Sequence, residues 1–163
     1  MLERQGRNDE ALDQVQQALD LYQTAGHQIG QARVLNTIGW YQALLGNHDE
    51  ALTFCGRALI LSRELGYRLG EAATLDSLGT THQYLGHHPR ALAYYQQALC
   101  LWRELHNRYY EATTLTHLGD TRHATGDREA ACDTWRQALI ILDDLHHPDA
   151  DKVRAKLDHL KAT

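Results

Sequence analysis

The chain has 163 residues, 43% of them hydrophobic and 23% charged, with a formal net charge of −5, the balance of an ordinary globular domain long enough for a sizeable core. That acidic balance argues against nucleic-acid binding, which needs a clustered basic surface. No run of about 18 apolar residues is present to span a membrane.

The opening MLERQGRNDEAL carries no apolar segment of the secretory kind. A cytoplasmic setting is therefore expected, with Cys55, Cys100 and Cys132 reduced and buried as small hydrophobes rather than paired. None of them has the C-x-x-C spacing of a zinc ribbon.

Residues 46–85 and 86–125 repeat one another, with 18 of 40 aligned positions identical. A repeat of this length means stacked supersecondary units. Gly6, Gly46, Gly86 and Gly126 set its register, each 40 residues after the last. After each come two alanines and a large aliphatic residue: Ala51, Ala58 and Leu61 in one unit, Ala91, Ala98 and Leu101 in the next. Offsets of 7 and 10 fall on one helical face. This predicts helices near 8–25, 48–65, 88–105 and 128–145, here termed B helices. Asn47 with Asp49 and Glu50, and Asp127 with Glu129, suit helix starts. Pro89 suits a first turn.

Between them a second pattern predicts A helices near 29–45, 69–85 and 109–125. Its repeated positions are Ala32, Leu35, Ile38, Gly39; Ala72, Leu75, Leu78, Gly79; and Ala112, Leu115, Leu118, Gly119. A glycine inside a helix costs about 1 kcal/mol against alanine. Its recurrence in three helices predicts a close backbone-to-backbone approach there. Short turns at Gly46, Gly86 and Gly126 fold each A helix back on the next B helix. Met1–Gln5 matches only the tail of an A helix, so the chain opens inside a repeat and offers a route to self-association. Beyond Pro148 the pattern stops, and residues 149–161 read as a charged capping helix.

The L-x-x-L-G of Leu75–Gly79 and Leu115–Gly119 resembles the W-x-x-L-G of the tetratricopeptide repeat. The A-x-x-x-aromatic-x-x-A of Ala91–Tyr95–Ala98 and Ala131–Trp135–Ala138 resembles its second helix. The chain departs from that pattern at Gln42, His82 and Arg122, where the family places tyrosine, and in lacking the proline that ends helix B. The resemblance implies an all-α, right-handed superhelical solenoid of about 3.5 repeats plus a cap, forming one domain over 1–163. Its units would be 6–45, 46–85, 86–125 and 126–146. The segments RELG (Arg63–Gly66), GEAATLDSLG (Gly70–Gly79) and HHPDADKVRAKL (His146–Leu157) also resemble the C-terminal repeats of actinobacterial SARP-like and signal-transduction ATPase regulators. That likeness implies a sensor or interaction segment, with other domains of the same polypeptide as possible partners. No G-x-x-x-x-G-K-[ST] phosphate loop is present.

In tetratricopeptide folds the A helices line a concave groove. Positions there that do not recur between units are not explained by packing. They include Arg33, Asn36, Trp40, Asp76, Thr80, Gln83, Tyr84, Thr116, His117, Asp120 and His123. Trp, Tyr and Arg are anchor types in interfaces, so a protein or peptide partner is expected. Arg33 and Asn36 are only a fragment of the carboxylate clamp of chaperone adaptors, which points to a mixed or acidic groove. His117, Asp120 and His123 drift around the helix rather than converging in tetrahedral reach. Neither metal nor cofactor is expected, and no nucleophile with a paired base is legible, so no enzyme is expected.

Overall fold

Helix and turn alternate every 20 residues through most of the chain. The computed structural model describes the backbone of residues 2–162 and the side chains of residues 10–160. Among the described residues there are eight helices and no strand: α1 (Leu2–Thr24), α2 (Gln28–Leu45), α3 (His48–Glu64), α4 (Arg68–Tyr84), α5 (His88–Glu104), α6 (Arg108–Ala124), α7 (Arg128–Asp144) and α8 (Asp149–Ala162). The B helices are α1, α3, α5 and α7, and the A helices are α2, α4 and α6. From α2 onward every helix end lies within one residue of the sequence reading.

Each of the first seven helices stops in the same way. Gly26, Gly46, Gly66, Gly86 and Gly126 all have positive φ, and His106 (53°) and His146 (50°) take the same conformation. Two backbone bonds close each turn. At Gly46 they run to the Ala43 carbonyl (3.2 Å) and from the Asn47 N–H to the Gln42 carbonyl (2.9 Å), the Schellman arrangement. Gly6, expected to open the series of turns, does not: α1 runs unbroken from Leu2 to Thr24. Residues on both sides of Gly6 continue one helical backbone ladder, and a glycine inside a helix costs only about 1 kcal/mol against alanine. The half-repeat at Met1–Gln5, and self-association through it, falls outside the residues whose side chains are described.

The core is a row of small clusters, as expected of a solenoid. Ala72 and Leu75 of α4 meet Ala98, Leu101 and Trp102 of α5. A larger cluster joins α5 to α8 through Leu99, Leu115, Trp135, Leu142, Val153 and Leu157. Leu21 shows the same rule by exception. It is 71% exposed, although the equivalent Leu101 and Ile141 are buried. Leu101 is covered by the A helix before it, and among the described residues no A helix precedes α1.

Gly79 and Gly119 seat side chains, which corrects the expectation of backbone against backbone there, whereas at Gly39 a Cβ would also lie 3.1 Å from the Ala51 carbonyl and the Cys55 backbone N. A Cβ on Gly79 would lie 2.6 Å from the Tyr95 ring, and one on Gly119 would lie 2.5 Å from Trp135. The repeated glycine is thus the socket for the aromatic residue of the following B helix. In the first unit Cys55 takes that place, its Sγ 2.3 Å from a Cβ built on Gly39. Cys55 is buried, and desolvation pushes its thiol up to about 12. The other two cysteines depart from the reading as core: Cys100 is exposed and Cys132 half-buried. Cys100 lies one residue beyond the buried Ala98–Leu99 pair, on the outer side of α5.

Where the family places tyrosine, polar side chains tie each A helix to the turn or B helix after it. Gln42 accepts a bond from Asn47 Nδ2 (2.8 Å). His82 stacks on Tyr94 with ring centroids 5.4 Å apart. Arg122 donates to Thr134 Oγ1 at 2.6 Å. On the surface two ion pairs recur at the 40-residue period: Arg63–Glu71 (2.8 Å) with Arg103–Glu111 (2.7 Å), and Arg68–Glu104 with Arg108–Asp144. Exposed pairs of this kind contribute about 0.2–1 kcal/mol each, so they adjust register while apolar burial holds the stack.

Candidate functional site

Stacking α2, α4 and α6 side by side leaves a hollow of about 490 Å³ on their common face. Four of the residues singled out in the sequence line it: Asn36, Trp40, Asp76 and His117. Thr37, Ala73, Ser77 and Thr113, with Leu69 and Tyr110 near the starts of α4 and α6, complete the A-helix wall. Trp102 of α5 closes the rest.

Asp76 is fixed from two sides. Its Oδ1 accepts from Thr114 Oγ1 at 2.8 Å, and its Oδ2 lies 3.2 Å from His117 Nδ1. Both partners sit on α6, so this carboxylate joins adjacent A helices. The His117 contact is close enough for an ion pair, but its alignment falls short of a good hydrogen bond. Burial disfavours the charged imidazole. The Asp76 carboxylate outweighs that effect, with Asp120 adding to it and Lys156 opposing it, and the net result is a raised pKa.

The remaining predicted residues do not share the hollow. Thr80 is buried, its hydroxyl 3.1 Å from Tyr95 OH. Gln83 Oε1 accepts from Tyr95 OH (2.9 Å) and Thr121 Oγ1 (3.0 Å). These two belong to a polar seam under the Gly79 socket, because a buried tyrosine hydroxyl must find partners. Thr116 and Asp120 face the end of the stack. Trp135 Nε1 donates to the Thr116 carbonyl (3.3 Å) and to Asp120 Oδ1 (3.0 Å), and Lys156 of α8 sits 2.7 Å from the same carboxylate. His123 is exposed beside the Trp135 ring at 5.5 Å. Tyr84 is exposed at the end of α4, 5.9 Å from His48. Arg33 is exposed on α2 and does not line the hollow.

Trp102, Tyr110 and Leu69 were missed. Trp102 stacks on Tyr110 at 4.7 Å with an interplanar angle of 20°. It is 2% exposed, and its Nε1 has no hydrogen-bond partner. The signal existed: the aligned column Tyr22, Ser62, Trp102, Leu142 varies, and so does Gly30, Gly70, Tyr110, Ala150. The two columns vary together. Tyr22 lies over Gly30, and the Tyr67 ring together with Ser62 over Gly70, whereas Trp102 pairs with an aromatic ring. The first column lies on B helices, whereas the groove was expected on the A helices alone. Among the described residues, no group of three or more His, Cys, Asp or Glu is placed to hold a metal ion. No described helix is long and apolar enough to cross a membrane.

Paired helices, sockets and a concave A-helix face define a tetratricopeptide solenoid. The tetratricopeptide-repeat family model matches residues 1–59 and 42–104, and the chain belongs to that family. Similar solved structures include BtubC (BKLC) from P. vanneervenii, with a TM-score of 0.83 and 21% identity over 97% of this chain and 66% of that one. A Rap protein complexed with Competence and Sporulation Factor gives a TM-score of 0.86 and 18% identity, over 96% of this chain and 44% of that one. A putative kinesin light chain of Podosopora anserina gives 0.74 and 13%, over 96% of this chain and 78% of that one. The chain thus spans just under two thirds of BtubC and less than half of the Rap protein. No curated protein matches it in sequence at a significant level.

Proposed function

We propose that the chain is a non-catalytic scaffold, one domain over residues 1–163, that holds a protein or peptide segment in the hollow of α2, α4 and α6. One observation carries this reading: the non-recurring residues Asn36, Trp40, Asp76 and His117 meet in one concavity together with Trp102 and Tyr110. Packing does not require a tryptophan at position 40, where the later units have Thr80 and Asp120. Aromatic anchors in a partly enclosed site are what peptide recognition uses. The fold-level neighbour solved with Competence and Sporulation Factor supports an occupied solenoid. It also favours a second reading, in which a signalling peptide or small molecule fills the superhelix and shifts its pitch. The regulator-like segments RELG and GEAATLDSLG support a cytoplasmic sensor or interaction role within a larger bacterial transcription regulator.

Selection of a random displayed peptide library against the chain tests the site. Enriched peptides should bind Trp40→Ala with Tyr110→Ala at least ~30-fold more weakly, the effect of losing about 2 kcal/mol of anchor energy. Helical circular dichroism should stay unchanged. Peptides that bind the double variant as tightly as the native chain would remove the hollow as the site. For the regulator role, a nucleotide-binding domain encoded directly upstream of Met1 is the expected finding; its absence there would count against that role.

A further inference from the structure

The lining of the hollow says which chemistry it accepts. Its charged or chargeable side chains are Asp76 and His117, and no lysine or arginine lines it. Lys156, on α8, is held by Asp120 instead. The same hollow is lined by three large rings, Trp40 and the stacked Trp102–Tyr110 pair. A fixed carboxylate among aromatic rings is a setting for an organic cation: the acid supplies a counter-charge, and ring faces attract the cation through their quadrupoles. An anionic ligand would meet Asp76 with no arginine or lysine in the lining to offset it.

Resting on the groove reading above, we infer that this hollow selects peptides by a cationic group, a guanidinium or ammonium, seated against Asp76 between Trp40 and the Trp102–Tyr110 stack. The geometry makes Asp76 a specificity-determining residue. Thr114 holds one of its oxygens, which leaves the other shared between His117 and the incoming cation. Ligand and imidazolium then compete for the same carboxylate. The groups that act on His117 are Asp76 on α4, the Tyr95 ring on α5 at 5.5 Å, Asp120 on its own helix and Lys156 on α8. A neutral His117 leaves Asp76 uncompensated and open to the ligand, so cation binding strengthens as pH rises and the imidazolium is lost.

The test uses the full chain and the peptides enriched from the random displayed library. Enriched sequences should share one arginine or lysine, or require a free N-terminus. Replacing that arginine with citrulline, or acetylating the N-terminus, separates the two sources of cation. One of these changes should weaken binding at least tenfold. Asp76→Asn, which can still accept from Thr114, should weaken the cationic peptide at least tenfold and leave its citrulline or acetylated analogue unaffected. Affinity should rise from pH 5.5 to pH 8 in the native chain and lose that slope in His117→Gln. Peptides that lose binding in Trp40→Ala but carry no required cation would overturn the cation inference and leave the groove reading standing. If no enriched peptide is sensitive to Trp40→Ala, both fall.

Discussion

His117 both packs between helices and lines the hollow. It ties α6 to α4 through Asp76, and its pKa is raised by that contact in spite of burial. The linkage has a definite sign. A histidine with a folded pKa above its unfolded one contributes stability that is fully present below the unfolded value of about 6.5. That contribution is lost as pH rises through the folded pKa. Denaturant melts from pH 5.5 to pH 8.5 should therefore show a His117-dependent loss of stability across the alkaline side of that window. His117→Gln should flatten this part of the profile; an unchanged profile in that variant would show that the Asp76 pair does not contribute. The glycine sockets are the opposite kind of residue, fully spent on packing. Gly79 admits the Tyr95 ring, and the tyrosine hydroxyl in turn commits Thr80 and Gln83 to a buried seam.

At the scale of an element, the helices obey one rule of length and one rule of termination. α3 to α7 are each 17 residues long, and every one ends in a left-handed residue. At His106 and His146 that conformation is borne by a side chain with a Cβ, which costs about 1 kcal/mol relative to glycine. His106→Gly is expected to stabilise the chain by about 0.5–1 kcal/mol and to raise Tm by roughly 1–4 °C. Scanning calorimetry checks this. A fall in Tm would mean that the His106 side chain makes a contact worth more than the backbone strain. Sequence reading placed these helices well because a 40-residue repeat of small and aliphatic residues specifies their faces. The left-handed conformation of His106 and His146 was not legible in the repeat, since histidine stands there in place of the glycine that marks the other turns.

The whole molecule is a one-dimensional stack, and its energetics should follow. α8 closes the stack by burying Val153 and Leu157 against the last cluster, while Lys156 reaches Asp120 and Arg154 reaches Asp143. Leu157→Ala should cost about 2–4 kcal/mol locally. Hydrogen exchange should then accelerate first in α7 and α8, with α2 to α4 retaining protection. Uniform acceleration along the chain would show a single cooperative core instead.

The sequence by itself determined the repeat, the helix boundaries from α2 onward and the paired architecture, because each unit buries the same small and aliphatic face against its neighbours. It also drew attention to Asn36, Trp40, Asp76 and His117 as residues packing does not explain. Only the tertiary structure decided which non-recurring residues stand together. Thr80 and Gln83 are drawn into the seam below Tyr95, Asp120 is taken by Lys156 and Trp135, and Trp102 turns from a B helix into the hollow. The physical reason is that a repeat fixes each position's face but leaves the contents of the space between units open. That space is filled by the particular side chains of two or three neighbouring helices, and their fit exists only once the helices are stacked.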